Sequence, residues 1–192
     1  MEHFNKEKVI VYNTIQLYRH DRLHFLDLSY RISQQKNFKL GIKLVRGAYM
    51  EKERERALEM GYISPIQPDK ESTDRDYNAA VKYCIDRIEN IACIVASHNE
   101  KSNLEAVKLM DQKGLPPDHP HMHYSQLLGM SDHITFNLAK AGCSVSKYVP
   151  FGPIKDVIPY LMRRAQENSS VSGQTGRELT LINTELKRRA VQ

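Results

Sequence analysis

Short runs of β-branched and other apolar residues alternate along the chain with stretches whose apolar positions recur every three or four residues. A run too short for a helix and rich in Val and Ile reads as a buried strand, and the three-to-four spacing reads as an amphipathic helix. The strands predicted in this way are Val9–Ile15, Lys39–Val45, Ile91–Ser97, His123–Leu127 and Val145–Val149. Helices fill the gaps. Asp21–Gln35 sets Leu23, Leu26 and Tyr30 on one face, and Met50–Met60 stops at Gly61. Asp74–Asn90, with Thr73 and Asp76 in a cap-like arrangement, carries Tyr77, Val81, Cys84 and Ile88 inward. Glu100–Lys113 stops at Gly114, Ser131–Ala141 stops at Gly142, and Lys155–Asn168 follows the last strand. A final helix is announced by Thr175-Gly-Arg-Glu178, which has the form of a capping box. Between them Tyr62–Ser72, with Pro65 and Pro68, reads as a long loop of the kind that covers a site.

Strand followed by helix, repeated, is the signature of βα units around a parallel sheet. Five such units cannot close a (βα)8 barrel, which takes eight strands and about 250 residues. The pattern therefore leaves two expectations open: an open sheet, or a barrel whose first three units lie outside this sequence. No linker or internal repeat interrupts it, so residues 1–192 are expected to form one domain.

In folds of this class ligands lie at the carboxyl ends of the strands. The residues there are polar in every unit: Gln16 after the first strand, Lys43 and Arg46-Gly47-Ala48 at the second, Ser97-His98-Asn99 at the third, Gln126 to Gly129 at the fourth and Tyr148 at the fifth. Each taken singly is an ordinary polar loop position. Together an amide, two cations, an imidazole and a phenol suit a large, anionic, aromatic ligand, and a phosphate-bearing cofactor fits, with Gly47 allowing backbone N–H groups to approach it. Beyond the last strand, Arg163, Arg164 and Glu167 share a helix. Such a trio is ordinarily a solvated face, yet two guanidinium forks steadied by a carboxylate four residues on also make a clamp for a carboxylate ligand.

Composition narrows the classes. The chain has 192 residues, 41% hydrophobic and 27% charged, with net charge +5. Acids interleave with the basic residues, as in Glu51-Lys-Glu-Arg-Glu-Arg56, and no basic run carries interleaved aromatics, so nucleic acid is not the expected partner. No apolar run approaches eighteen residues. The first thirty residues show neither a secretory nor a transit pattern, which is expected if targeting is absent or if the start of a longer protein lies elsewhere. Cys84, Cys93 and Cys143 are widely spaced and read as reduced thiols. His119-Pro-His-Met-His123 lacks supporting acids or thiols, and His20 with His24 lacks the Glu of HExxH, so no metal is expected. GxSxG, the phosphate loop GxxxxGK and GxGxxG are all missing from the sequence.

The motifs Lys43-Leu-Val-Arg-Gly-Ala-Tyr49, Ala96-Ser-His-Asn99, Gln126-Leu-Leu-Gly-Met130 and Tyr148-Val-Pro-Phe-Gly-Pro with Arg163-Arg164-Ala-Gln-Glu-Asn168, in this order and spacing, resemble the C-terminal part of the mitochondrial-type proline dehydrogenase family from about Val9 onward. The resemblance implies a (βα)8 TIM-barrel-like fold, here an incomplete barrel of about five βα units plus a C-terminal helix. It implies FAD on the strand ends and oxidation of L-proline to Δ1-pyrroline-5-carboxylate, with electrons passing to a quinone. A mitochondrial location and peripheral association with the inner membrane come with it. Gln16 resembles the glutamine at the isoalloxazine, Lys43 the cation beside flavin N5, and Arg46, Gly47, Ala48, Ser97 and His98 the remaining flavin contacts. Lys43 and Tyr148 are expected at the reacting centre. Leu127 and Tyr148 resemble the walls of the proline ring pocket, Arg163 and Arg164 the pair that binds its carboxylate, and Glu167 the acid that steadies them. The family's catalytic lysine and an accompanying aspartate belong to earlier strands, so the 192 residues alone are expected to be an inactive fragment or short isoform. A sister activity on hydroxyproline shares these motifs, with the phenol of Tyr148 favouring proline by crowding the ring 4-position. A truncated, non-catalytic isoform that binds partners through unpaired sheet edges is the third expectation.

Overall fold

The computed structural model describes residues 1–170 and 174–190, and describes no side chains for 164–170 and 174–178. The strands are β1 (Asn13–Gln16), β2 (Leu40–Val45), β3 (Ile91–Ala96), β4 (Met122–Leu127) and β5 (Val145–Tyr148). The helices are α1 (Arg22–Gln35), α2 (Met50–Met60), α3 (Lys70–Asp86), α4 (Glu100–Gln112), α5 (Asp132–Lys140), α6 (Ile154–Ser170) and α7 (Gln174–Ala190). The five strands are parallel and stand in sequence order. The expected α/β architecture of consecutive βα units is the one found. Backbone packing divides the chain into two compact units, Met1–Tyr148 with the whole sheet, and Val149–Gln192 with α6 and α7.

Alternation along each strand sorts the residues between two faces. Ile42 and Leu44, Cys93 and Val95, and Met122 and Tyr124 face the helices and are fully buried, joined by Ile15 and Leu17 from β1 and its exit. Tyr77, Val81, Cys84 and Ile85 of α3, Leu26 of α1 and Ala106 and Met110 of α4 close over them. The opposite face carries Thr14, Lys43, Ile94 and His123 as one row of paired neighbours, then Ser125 beside Ser146, and Leu127 beside Tyr148. The cysteines are all free and buried.

Three boundaries differ from the sequence-based expectation for identifiable reasons. The first strand starts at Asn13, four residues late, because the buried Asn5 side chain takes the backbone groups that a strand partner would use. Its amide donates to Val11 O and its carbonyl accepts from the N–H groups of Ile10 and Val11. Gly41 belongs to the same arrangement, since a Cβ there would lie 2.4 Å from Val11 O. Helix α3 starts at Lys70 rather than Asp74: Asp69, with its side chain accepting from Ser72 N at 2.7 Å, is the cap, and Thr73 and Asp76 lie inside the helix. The preceding loop is shorter for that reason, and it is tied down. Gln67 N donates to Tyr18 O, His20 N to Pro65 O, and Ile66 and Gln67 are buried, so the loop lies against the chain leaving β1. Helix α7 is described from Gln174, so Thr175 stands within the helix, and the side chains of the expected capping box lie outside the described residues.

Candidate functional site

The polar face of the sheet and the loops at its carboxyl ends bring most of the expected residues into one region. Lys43 lies in the middle of that face, half-buried, and burial pushes its ammonium pKa below the ordinary lysine value. Its Nζ stands 5.0 Å from the centre of the Tyr148 ring. Two strands separate β2 from β5, and on a flat sheet their axes would be roughly 14 Å apart at about 4.8 Å per strand. The contact is made because the sheet curls toward this face, as a barrel wall does. A cation over a phenol face is worth about 0.5–2 kcal/mol and holds both groups in register. Among the described residues no carboxylate reaches Lys43, so a half-desolvated positive charge faces the open side. That is the setting in which an anionic ligand or a charge developing on one is stabilised.

Leu127 pairs with Tyr148 at the strand ends, the first buried and the second 46% exposed, and the two make an apolar wall beside the cation. Gln16 ends β1 opposite Val45 and is half-buried. Ser97 follows β3 and is buried; its hydroxyl oxygen accepts from Arg46 Nη1 at 2.7 Å and from Asn99 N at 3.0 Å. The Tyr77 phenol also interacts with this hydroxyl, so Ser97 is held within the network at the strand ends. His98, half-buried, has its Nδ1 3.0 Å from Ser131 Oγ.

Two of the expected cofactor contacts are held differently from what their residue types suggest. Arg46 is committed inward: Nε to Asp74 at 2.6 Å, Nη2 to Ser102 at 2.9 Å, Nη1 to Ser97, and the guanidinium carbon Cζ 4.2 Å from the Tyr77 ring centre. It ties β2, α3, β3 and α4 together at the strand ends. Burial of Asp74 works to raise its pKa, but the hydrogen bonds from Lys70 and Arg46 outweigh this and keep its carboxyl below the usual range. Gly47 has φ +120°, and the space its Cβ would need is taken by the Tyr18 ring, 1.9 Å away. The glycine thus makes room for Tyr18, while Ala48 beside it is half-buried.

Arg163, Arg164 and Glu167 lie on α6, in the second unit, with Arg163 half-buried; the side chains of Arg164 and Glu167 lie outside the described residues. His119 and His121 stay together, ring centres 5.6 Å apart, and His123 lies apart from them. His119 Nδ1 accepts from His121 N and His121 Nδ1 contacts Ile88 O, both before β4, whereas His123 is on the polar face with Nε2 2.9 Å from Ser146 Oγ. A shallow cavity of about 410 Å³, lined by Tyr30, Arg87, Asn90 and Lys113 among others, opens at the opposite ends of the strands and is separate from this region.

Sequence reasoning missed Ser131, which reads as a plain helix cap, and Tyr18, whose role depends on where Gly47 lies. It also missed Asp74, taken for a helix start. Only the last had a local signal, since Asp69 three residues before Ser72 is the better cap.

The family model described as proline dehydrogenase matches residues 1–177. The chain is 43% identical over 189 residues to mitochondrial proline dehydrogenase 1 of Homo sapiens, covering 97% of this chain and 32% of that protein. It is 41% identical over 193 residues to hydroxyproline dehydrogenase of Xenopus laevis, covering 98% of this chain and 41% of that protein. The chain therefore spans about a third of the length of the curated relatives it matches. Among solved structures it is similar to proline utilization A from Bdellovibrio bacteriovorus, inactivated by N-propargylglycine, with TM-score 0.77 and 25% identity over 82% of this chain and 16% of that one. A parallel, curled βα sheet with polar strand ends, matched by that family over nearly all of its sequence, leads to one conclusion: the chain belongs to the proline dehydrogenase family.

Proposed function

We infer that these residues are part of an FAD-dependent enzyme that oxidises L-proline to Δ1-pyrroline-5-carboxylate and passes electrons to a quinone, residues 1–192 being one domain of its barrel. The observation that carries the reading is the half-desolvated Lys43 ammonium on the open face, stacked on Tyr148 beside Leu127, in a chain of this family. Gln16, Lys43, Ser97 and His98 would hold the cofactor directly. Arg46, Gly47 and Ala48, on the loop after β2, complete the set of proposed contacts, and Arg46 ties that loop to Ser97 and Ser102. FAD, when bound, supplies the acceptor for the hydride lost from proline C5. The protein's own part is placement and field. Lys43 offers positive charge where negative charge grows, Leu127 and Tyr148 exclude water from the ring, and Arg163 with Arg164, steadied by Glu167, fixes the substrate carboxylate. The names of the relatives support a mitochondrial location, and peripheral association with the inner membrane belongs to the same proposal. Among the described residues no helix is long and apolar enough to cross a membrane.

The test is the full-length protein, purified and measured for a flavin absorbance band and for dye reduction driven by L-proline. A yellow protein with proline-dependent turnover is expected; a colourless one with none would sink the reading. The 192-residue polypeptide alone should not turn over proline even with FAD added, because β1 and β5 stand at the edges of an open sheet and one wall of the site is then unmade. Robust dye reduction by that polypeptide would overturn this expectation.

The similarity to a hydroxyproline dehydrogenase favours one second reading, in which the substrate carries a 4-hydroxyl. Tyr148 favours proline. A phenol against the ring crowds a 4-hydroxyl and leaves it without a partner, a penalty of about 1–3 kcal/mol. Tyr148→Ser in the full-length protein should lower kcat/KM for proline and raise the ratio of hydroxyproline to proline turnover. An unchanged ratio, with both substrates measured side by side, removes Tyr148 from the ring pocket.

A further inference from the structure

Ser131 breaks two local rules at once. It is the N-cap residue of α5, where a serine hydroxyl ordinarily accepts from an N–H of the first turn, yet its side chain makes no cap hydrogen bond. It also holds φ 53° and ψ 42°, the left-handed region that a non-glycine residue occupies at an energetic penalty. Its side chain is instead turned to His98, with Oγ 3.0 Å from Nδ1, and the residue is only 4% exposed. The loop that carries it is fixed from several sides. Leu128 N donates to Tyr148 O, Met130 N to Leu127 O, and Lys147 Nζ donates to Met130 O at 2.6 Å and pairs with Asp132 at 2.6 Å. The carbonyl of Ser131 accepts from Ile134 N and Thr135 N, so the start of α5 is anchored through the backbone while the hydroxyl is directed elsewhere.

A strained residue that gives up its ordinary local bond and is held in place by its surroundings marks a position where geometry serves a site. We propose that Ser131 is a positioning residue for His98: its hydroxyl, brought from the exit of β4 to the exit of β3, fixes the tautomer and the tilt of the imidazole so that the ring's other edge is presented to the cofactor. A hydrogen bond to one ring nitrogen decides which nitrogen carries the proton, and hence what the other can offer. The proposal rests on the reading of His98 as a cofactor contact, and its test separates the two.

The experiment compares Ser131→Gly, Ser131→Ala and His98→Ala in the full-length protein. The readouts are the His98 ring nitrogens in 15N-histidine-labelled protein, the FAD dissociation constant and Tm. Glycine removes the hydroxyl and also relieves the left-handed backbone; alanine removes the hydroxyl and keeps the strain. In Ser131→Gly the two ring-nitrogen shifts of His98 should move away from their wild-type values, reporting a changed tautomer balance. FAD should bind about three- to tenfold more weakly, the range for loss of one hydrogen bond, while Tm holds or rises. Ser131→Ala should show the same losses with a lower Tm. Unchanged His98 nitrogens in both variants would overturn the proposal, as would an FAD constant that changes only in the alanine variant and follows Tm. If His98→Ala leaves FAD affinity unchanged, the cofactor reading of His98 fails and takes this role with it. If that variant weakens FAD while the Ser131 variants do nothing, Ser131 alone is eliminated.

Discussion

Arg163→Ala or Arg164→Ala, made in the full-length protein, should raise the Michaelis constant for proline about thirtyfold or more while flavin content stays at the wild-type level. In the proposed role two guanidinium groups on consecutive positions of α6 each donate paired N–H bonds to the substrate carboxylate, and truncating one arm of a charge-assisted pair desolvated by bound substrate costs roughly 2–5 kcal/mol. At about 1.4 kcal/mol per tenfold, the lower end of that range already gives the stated change. Competing carboxylates that resemble proline should weaken in parallel, since the bonds proposed for these arginines are to the carboxylate and not to the ring. Steady-state kinetics with flavin content measured on the same samples checks this. Loss of flavin with an unchanged Michaelis constant would move both arginines to the cofactor.

Gly47→Ala should be the most damaging small substitution at the strand ends. The added Cβ would stand 1.9 Å from Tyr18 Cδ1 and 2.1 Å from Cε1, at a backbone φ of +120° that L side chains rarely adopt. Tyr18 has little room to retreat. It is buried, its N–H donates to Arg46 O, and its carbonyl accepts from Gln67 N at 2.7 Å. Overpacking and backbone strain together amount to about 2–5 kcal/mol, which for a domain of this size lowers Tm by roughly 5–20 °C. Tyr18→Ala in the same background removes the clash, so the two losses should sum to less than their separate values. A Tm for Gly47→Ala within a degree of wild type would show that Tyr18 does not occupy that space.

How much of this was legible beforehand follows from the range of the interactions involved. The βα alternation, the five parallel strands and the placement of Gln16, Ser97 and Tyr148 at strand ends, with Lys43 within β2, could all be read, because period and strand polarity are local properties. Arg46 and Gly47 were legible as residues of interest but not in their roles. An arginine in a glycine loop reads equally as an outward ligand donor or an inward tie, and the partners that decide it, Asp74, Ser97 and Ser102, are 28, 51 and 56 positions away. The late start of β1 was hidden for the same reason, since a single asparagine four positions before Val9 takes the backbone bonds of Ile10 and Val11.

By itself, then, the sequence determined the unit type, the order of the units and the polar character of the strand ends, since each depends on residues within one turn or one strand of one another. The tertiary structure decided which of those polar residues meet. Curling of the sheet puts Lys43 of β2 against Tyr148 of β5, and clamping of the chain after β4 turns Ser131 from a helix cap into the partner of His98. No spacing rule reaches across either contact: the first joins two strands whose separation is set by the curvature of the sheet, and the second joins the exits of neighbouring strands, whose distance is set by strand pairing and not by the chain between them.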